Sequence, residues 1–141
     1  MVTDSALSLL GLALRGNNLA VGEEPVQEAC KTRRAKLVLT ASDASLNTVE
    51  RVRRWAQSGN ARPLMVPWDK ETLGGALGRS VCATVALTDQ GLASALFWKL
   101  ADRDPAYREL AEDLVKEFPR PSQPGKNKKP RAQKKPAFRE I

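Results

Sequence analysis

Three short β-rich runs alternate with helical patterns along the chain, and this alternation limits the fold more than any other sequence feature. The runs cover residues 36–41, 62–66 and 81–87, and the segments between them carry apolar residues at helical spacing. Alternating strands and helices are typical of α/β proteins, in which helices cover both faces of a sheet. The sequence therefore predicts an α/β sandwich with a largely parallel core.

The remaining elements follow from caps, breakers and periodicity. A leucine-dense segment over residues 4–15 predicts a helix that is buried on most of its sides. Further helices are expected at 23–31, 45–57, 69–77 and 90–100, and a short strand at 19–21. Pro63 has no N–H group, so the strand at 62–66 should begin with it or lie at a sheet edge. Residues 104–118 form an amphipathic pattern, either a last packed helix or a partly detached one.

The charge is concentrated at the C-terminal end of the chain. The net charge is +7, and residues 119–141 hold eight Lys or Arg against the single acidic residue Glu140. That segment is rich in Pro, Lys, Gln and Ser, a composition that cannot bury enough apolar surface to fold. We expect an α-β-α domain at 1–101, an amphipathic helix at 102–118 and a disordered basic tail at 119–141. Such a tail adds salt-sensitive, sequence-independent affinity for nucleic acid.

Several function classes are disfavoured by what the sequence lacks. The chain has no histidine, the commonest general base, and its two cysteines, Cys30 and Cys82, lie in separate apolar patterns. We therefore expect two buried thiols, no metal site, no cofactor and no enzymatic activity, although a disulfide stays open. Asp4 precedes the first apolar run, which is unlike a signal peptide, and no run is long enough to span a membrane. The predicted location is the cytoplasm.

The first candidate binding feature is the predicted helix that opens after Gly22. A glycine before a helix lets backbone N–H groups approach a partner closely, and the positive end of the helix dipole favours anions such as phosphate. Glu23 and Glu24 follow at once. Their simplest role is to favour the positive end of that dipole, and a role in contacting a base is the alternative.

A second candidate is the basic cluster of Lys31, Arg33, Arg34 and Lys36 after the same helix. A run of charges is most often a solvated surface. Here it adjoins the Gly22 segment, so contact with a phosphate backbone is the other interpretation.

Seven motifs then follow one another in a familiar order. They are Leu-Leu-Gly-Leu-Ala-Leu-Arg at 9–15, Gly-Glu-Glu at 22–24, Ala-Lys-Leu-Val-Leu at 35–39, Ser-Asp-Ala-Ser at 42–45, Asn-Thr at 47–48, Leu-Gly at 73–74 and Ala-Leu-Thr-Asp-Gln-Gly at 86–91. Over about residues 5–100 the chain resembles the bacterial YlxQ proteins, which belong to the superfamily of the archaeal ribosomal protein "L-seven-Ae" and the eukaryotic ribosomal protein "L-thirty-e". The resemblance implies a three-layer α-β-α sandwich with a small mixed sheet. It also implies a protein without catalytic activity that binds structured RNA, such as a kink-turn or ribosomal RNA, on or near the ribosome. We expect a monomer.

The resemblance also indicates which residues contact RNA. Members of this family hold the bent RNA at the start of the second helix. That position corresponds here to Gly22, Glu23, Glu24 and Gln27, with Lys31 one turn further on. An apolar loop after a strand packs on flipped-out bases, and the matching residues are Leu87, Thr88, Asp89 and Gln90.

An alternative of another class is a protein-interaction module of the translation machinery that keeps the fold without kink-turn binding. The usual helix-start pattern of the family is Gly-x-Asn-Glu-x-x-Lys. This chain has Glu24, Pro25 and Glu28 at the last three specified positions. A carboxylate repels the phosphate backbone that a lysine attracts, so these departures favour the alternative.

Overall fold

A computed structural model describes residues 4–120 of the chain, so residues 121–141 of the predicted basic tail lie outside the described residues. The described part contains six helices and four strands. They are α1 (Ser5–Arg15), β1 (Leu19–Val21), α2 (Glu23–Lys31), β2 (Leu37–Thr40), α3 (Leu46–Ser58), β3 (Arg62–Met65), α4 (Lys70–Ala76), β4 (Thr84–Leu87), α5 (Gln90–Arg103) and α6 (Pro105–Asp113).

The sheet is mixed, with the strand order β1-β4-β2-β3. Only β2 and β3 are parallel, whereas β4 runs antiparallel to both β2 and β1, so the prediction of a largely parallel core is wrong. Thr40 of β2 pairs with Met65, the last residue of β3, and also with Thr84, the first residue of β4. The chain thus leaves β3 and enters β4 at the same end of the sheet. The seven-residue α4 stays at that end and does not carry the chain back, so β4 must run in the opposite direction.

The two faces of the sheet pack into separate apolar clusters, which confirms the predicted three-layer α-β-α sandwich. On one face, Leu37, Leu39, Val85 and Leu87 pack with α1, α4, α5 and α6. On the other, Val38 and Ala86 pack with α2 and α3. Successive strand residues point to opposite faces, so the two central strands β2 and β4, which are buried along their whole length, supply both clusters. Strand β2 is central, and β3, with Pro63 as its second residue, lies at a sheet edge, which is one of the two positions predicted for it.

Helix α1 buries one face, and the prediction that it is buried on most sides is wrong. Ala6, Leu10 and Ala13 are fully buried, but 56% of Leu12 and 38% of Leu14 are exposed. The buried residues recur every three or four positions, which is the stripe of a helix that packs on one layer. High leucine density alone does not distinguish this arrangement from full burial.

The last helix and the turns that follow it are packed on the body. Helix α6 ends at Asp113, earlier than the predicted pattern, and residues 114–118 form turns that bring Phe118 into the main core with only 2% exposed. The Trp98 indole N–H donates to the Phe118 carbonyl over 2.7 Å. Arg120, which we assigned to the tail, pairs with Asp102 at 2.7 Å and lies 4.4 Å above the Trp98 ring. Of the two arrangements left open for 104–118, the structure has the packed one.

Other element boundaries differ modestly from expectation. Strand β4 begins at Thr84 and not at Val81, and α5 continues to Arg103.

Cys30 and Cys82 are both buried free thiols, so the disulfide left open by the sequence is absent. Burial raises the pKa of both thiols, which keeps them protonated and unreactive.

Asp4 joins three separate parts of the fold. Its carboxylate caps α1 through the backbone N–H groups of Ala6 and Leu7, and also accepts hydrogen bonds of 2.8 Å from Trp68 and from Arg103. Partial burial raises the pKa of this carboxyl, but the hydrogen bonds from Arg103, Trp68 and Leu7 together outweigh burial. The pKa therefore lies below its ordinary value.

We expect Asp4→Asn to destabilise the protein by about 1–2 kcal/mol at pH 7, because the charge-assisted hydrogen bond to Arg103 is lost. A carboxyl with a lowered folded-state pKa stabilises the fold above its unfolded pKa, and this contribution disappears as the pH falls through the folded value. The difference between variant and parent should therefore shrink below about pH 4. Urea unfolding at pH 7 and pH 3 measures it, with Asp113→Asn on exposed α6 as the control. An equal difference at both pH values would contradict the assignment.

Candidate functional site

The N-terminus of α2 differs from every other helix start in the described chain. Five helices begin with a side chain that accepts a hydrogen bond from a first-turn N–H, and these caps are Asp4, Ser45, Asp69, Asp89 and Asp104. Helix α2 begins at Gly22, which has no capping side chain. Within residues 4–120, the N–H groups of Glu23 and Glu24 have no hydrogen-bond acceptor. This helix start is therefore open to a negatively charged or hydrogen-bond-accepting partner.

Gly22 is required here by its backbone conformation. Its φ is 97° and its ψ is 166°, a region that essentially only glycine adopts. A Cβ at this position would meet nothing closer than 3.9 Å, so crowding is not the reason for glycine. Because Gly22 has no side chain, no Cβ covers the backbone at the start of α2.

Glu23 is held in place by α3. Arg51 donates to its Oε1 atom from both Nε and Nη2, at 3.2 and 2.8 Å, and Thr48 Oγ1 lies 3.4 Å from Oε2. Arg51 thus pairs with Glu23 and orients its carboxylate. Both side chains are 39% exposed, so this carboxylate remains accessible at the α2 N-terminus.

The segment between α4 and β4 lies beside Gly22, and the sequence analysis missed it. The Arg79 Nη1 atom would be 3.9 Å from a Cβ on Gly22, and Gly22 N–H donates to the carbonyl of Thr84. Val81 is 56% exposed in the same segment. We had assigned Val81 to a strand. The sequence does contain a signal for a binding segment here, since Gly78-Arg79-Ser80 is a polar turn that carries a cation before the strand predicted at 81–87.

The predicted contact residues fall at two opposite ends of the sheet. We call them the Gly22 end, where Thr84 and Thr40 pair, and the Leu87 end, where Leu87 pairs with both Leu19 and Leu37. Helix α2 runs from the first end to the second, a length of about 13 Å for nine residues. The structure therefore does not bring the 87–90 loop next to Gly22.

Leu87 itself is not available at the surface. Its side chain is 0% exposed and belongs to the main core, so its predicted packing on an RNA base does not fit this structure. Asp89 is exposed and caps α5 through Leu92 N–H, and Gln90 donates to the carbonyl of Glu117 over 2.7 Å. Thr88 is half-buried. The resemblance placed Leu87 in the loop after the strand, whereas Leu87 is the last residue of β4.

The predicted basic cluster is also at the Leu87 end. Lys31, Arg33 and Arg34 are exposed, and Lys36 is half-buried with its N–H bonded to the carbonyl of Leu87. Arg33 has a φ of 60°, a left-handed conformation that is uncommon for a residue other than glycine or asparagine. The cluster thus lies one helix length from the Gly22 end and forms a separate cationic surface.

The outer stripe of α2 connects the two ends. Glu24, Gln27, Glu28 and Lys31 occur at successive helical-turn positions and are all exposed. Neither Glu24 nor Glu28 forms an ion pair within residues 4–120. This stripe therefore changes from acidic near Gly22 to basic at Lys31.

Residues 4–120 contain no group of three or more cysteine and carboxylate side chains placed to hold a metal ion. In the same range, none of the helices is both long and apolar enough to cross a membrane.

Comparison with known proteins identifies relatives over most of the described domain. Residues 4–97 match the model of the "Ribosomal protein L7Ae/L30e/S12e/Gadd45 family". The chain is 38% identical over 92 residues to the "RNA-binding protein YlxQ" of Bacillus subtilis (strain 168), an alignment that covers 62% of this chain and 87% of that protein. A protein of the same name from Enterococcus faecium is 42% identical over 48 residues, which are 34% of this chain and 47% of the relative.

A solved structure agrees with this result. A protein with unknown function from Bacillus halodurans C aligns with a TM-score of 0.64 and 30% identity, covering 70% of this chain and 98% of that chain.

Proposed function

The chain belongs to the ribosomal protein L7Ae/L30e/S12e/Gadd45 family, and from this membership we propose that it binds structured RNA at the Gly22 end of its sheet. The resemblance seen in the sequence is thereby confirmed. Membership also supports the prediction that the chain is not an enzyme, since the family is generally non-catalytic. A similar protein of Bacillus subtilis is named as RNA-binding.

One observation carries the proposal, namely the uncapped start of α2. The open N–H groups of Glu23 and Glu24 and the positive end of the helix dipole favour a phosphate. Arg79 adds a cation beside Gly22, and exposed Val81 offers an apolar surface in the same segment. Phosphate contacts and apolar contact with unstacked bases are the two components of structured-RNA recognition.

The RNA that fits this site best is one with a sharp bend, such as a kink-turn. The site is a narrow helix start flanked by one loop, and a straight duplex presents its phosphates on a surface too regular to enclose it. The basic cluster at the Leu87 end supplies a second phosphate contact about 13 Å away along α2. Association with the ribosome stays a prediction from the resemblance, and the cytoplasmic location and a monomeric state stay predictions from the sequence.

The second candidate is a protein-interaction module, and it also has a specific observation in its favour. Glu24 and Glu28 are exposed on the stripe between the two ends of α2 and form no ion pair with residues 4–120, and a phosphate backbone would be repelled there. A basic segment of a partner protein would suit this stripe better than RNA.

The two candidates are separated by a titration of the full chain with a fluorescent kink-turn RNA and with a straight duplex of equal length. At a salt concentration of about 100 mM or above, contributions from the basic tail are weakened. We expect clear preference for the bent RNA. Equal and weak binding to both RNAs would reject the proposal and favour the interaction module.

Replacement of Arg79 by alanine tests the position of the site. We expect about tenfold weaker binding of the kink-turn RNA, the value of one charge-assisted contact, and a salt slope reduced by about 0.7–0.9. Arg54→Ala is the matched control, because it removes one exposed arginine from α3. If both variants weaken binding equally, the effect is one of total charge and the Gly22 end is not the site.

A further inference from the structure

A surface groove lies between α2 and the edge strand β1, toward the Leu87 end. Its volume is about 270 Å³, somewhat below the roughly 300–1,000 Å³ typical of pockets for drug-sized ligands. It is therefore suited to one small planar group. The groove is lined by Asn17, Leu19, Ala20, Pro25, Glu28, Arg34 and Thr88.

Part of the groove surface is apolar, and the strand beneath it has an unpaired edge. Ala20 and the Pro25 ring contribute apolar surface, whereas the Leu19 side chain is buried in the cluster on the opposite face of the sheet, so Leu19 lines the groove with its backbone. The Asn18 carbonyl accepts from Thr88 N–H, and Gly22 N–H donates to Thr84, so residues 18, 20 and 22 face β4. In an antiparallel pair the intervening residue Leu19 then turns its N–H and C=O away from β4. Within residues 4–120 these two groups have no backbone partner.

The walls of the groove carry opposite charges that do not neutralise each other. Glu28 forms no ion pair with any described residue, and the Arg34 side chain donates its Nε hydrogen only to Thr32. Asn17 and Thr88 complete the walls with an amide and a hydroxyl. The site thus offers an acceptor, a cation and an apolar surface within one small volume.

We propose that this groove binds a single unpaired nucleotide of the RNA. The base lies on the apolar surface formed by Ala20 and Pro25, and its exocyclic amino group donates a hydrogen bond to the Glu28 carboxylate. The phosphate of the same nucleotide faces Arg34. A carboxylate accepts from base amino groups, whereas the N3–H of uracil lies between two carbonyl oxygens that repel a carboxylate, so Glu28 favours adenine, cytosine or guanine over uracil.

This inference rests on the proposed RNA-binding function and gives Glu28 a positive role in it. A peptide strand added to the edge of β1 would be the other occupant. The observations favour a nucleotide, because β1 has only three residues to pair with a strand, whereas an acceptor and a cation flanking an apolar surface suit a base and its phosphate.

The test is an NMR titration of the full, ¹⁵N-labelled chain with AMP, CMP, GMP and UMP. We expect shifts at the amides of Leu19, Ala20 and Thr88, with AMP, CMP and GMP binding about fivefold more tightly than UMP, the effect of one hydrogen bond. Glu28→Gln should abolish the difference, because an amide also donates to the uracil carbonyl. Glu50→Gln removes the same charge from an exposed position on α3, outside this groove, and should keep the difference.

Three results would overturn the inference. They are shifts confined to the basic cluster and equal for all four nucleotides, a base preference that survives Glu28→Gln, and groove shifts with a short extended peptide but none with a nucleotide. The kink-turn titration is a separate measurement. Preference for the bent RNA without base selection in the groove would reject this inference alone, whereas base selection without that preference would reject only the kink-turn proposal.

Discussion

Phe118→Ala is expected to cost about 3–5 kcal/mol of the free energy of unfolding, the range for truncation of a buried phenylalanine. Phe118 is 2% exposed, and its ring centroid lies 5.7 Å from that of Phe97 on α5. Because small domains are stable by only about 5–15 kcal/mol, this loss should be visible as a large fall in the urea midpoint. The change removes the apolar anchor that holds the end of the described chain on the body.

The neighbouring contacts show why Phe118→Ala should loosen the whole 102–118 segment from the body. Gln90 donates to the Glu117 carbonyl, and Trp98 donates to the Phe118 carbonyl, each over 2.7 Å. Val115 is the matched control, since it is 45% exposed and its replacement by alanine should change stability by less than about 0.5 kcal/mol. We expect one cooperative unfolding transition for residues 4–120. A loss below about 1 kcal/mol in Phe118→Ala would instead mean that the 102–118 segment is a separate, weakly attached unit.

Gly59→Ala is expected to destabilise the protein by about 3 kcal/mol, at the upper end of the usual cost of overpacking. A Cβ on Gly59 would overlap the Cys30 carbonyl oxygen and lie 2.8 Å from the carbonyl carbon. Gly59 has an ordinary φ of −92°, so the effect arises from crowding and not from backbone strain. The only relief is separation of α3 from the C-terminal end of α2, and both helices are part of the buried α2–α3 layer.

Gly75→Ala is the control for this prediction, because nothing lies within 4 Å of a Cβ at that position. In the interior of α4 it should be neutral or raise stability by about 0.5–1 kcal/mol, since alanine favours a helix more than glycine does. Thermal unfolding of both variants measures the contrast. An unchanged melting temperature for Gly59→Ala would mean that the two helices are not packed as described.

Local sequence signals located most of the elements. The bounds of α2 follow from a glycine before two glutamates and a proline, and β2 follows from a short run of apolar β-formers. The edge position of Pro63 follows from its missing N–H. Each of these features depends on a residue and its immediate neighbours, which is why a pattern reveals it.

Strand direction and the grouping of the site residues did not follow from such signals. The antiparallel direction of β4 depends on α4 remaining at one end of the sheet, which no local pattern records. The predicted contacts at Gly22 and at Leu87 occur at opposite ends, because register and direction together decide which end of a strand meets which loop. Arg79 became a site residue only because its segment folds back beside Gly22.

The sequence by itself determined where most helices and strands lie, and that α2 begins after a glycine at a position that favours an anion. Those properties come from side-chain chemistry and backbone preference within a few residues. Only the tertiary structure decided that Glu23 is braced by Arg51 and that Leu87 is buried. It also brought Glu28 and Arg34 together with the edge of β1 to form a groove. These relations join residues that are distant along the chain, and they exist only once the two apolar clusters have packed against the sheet.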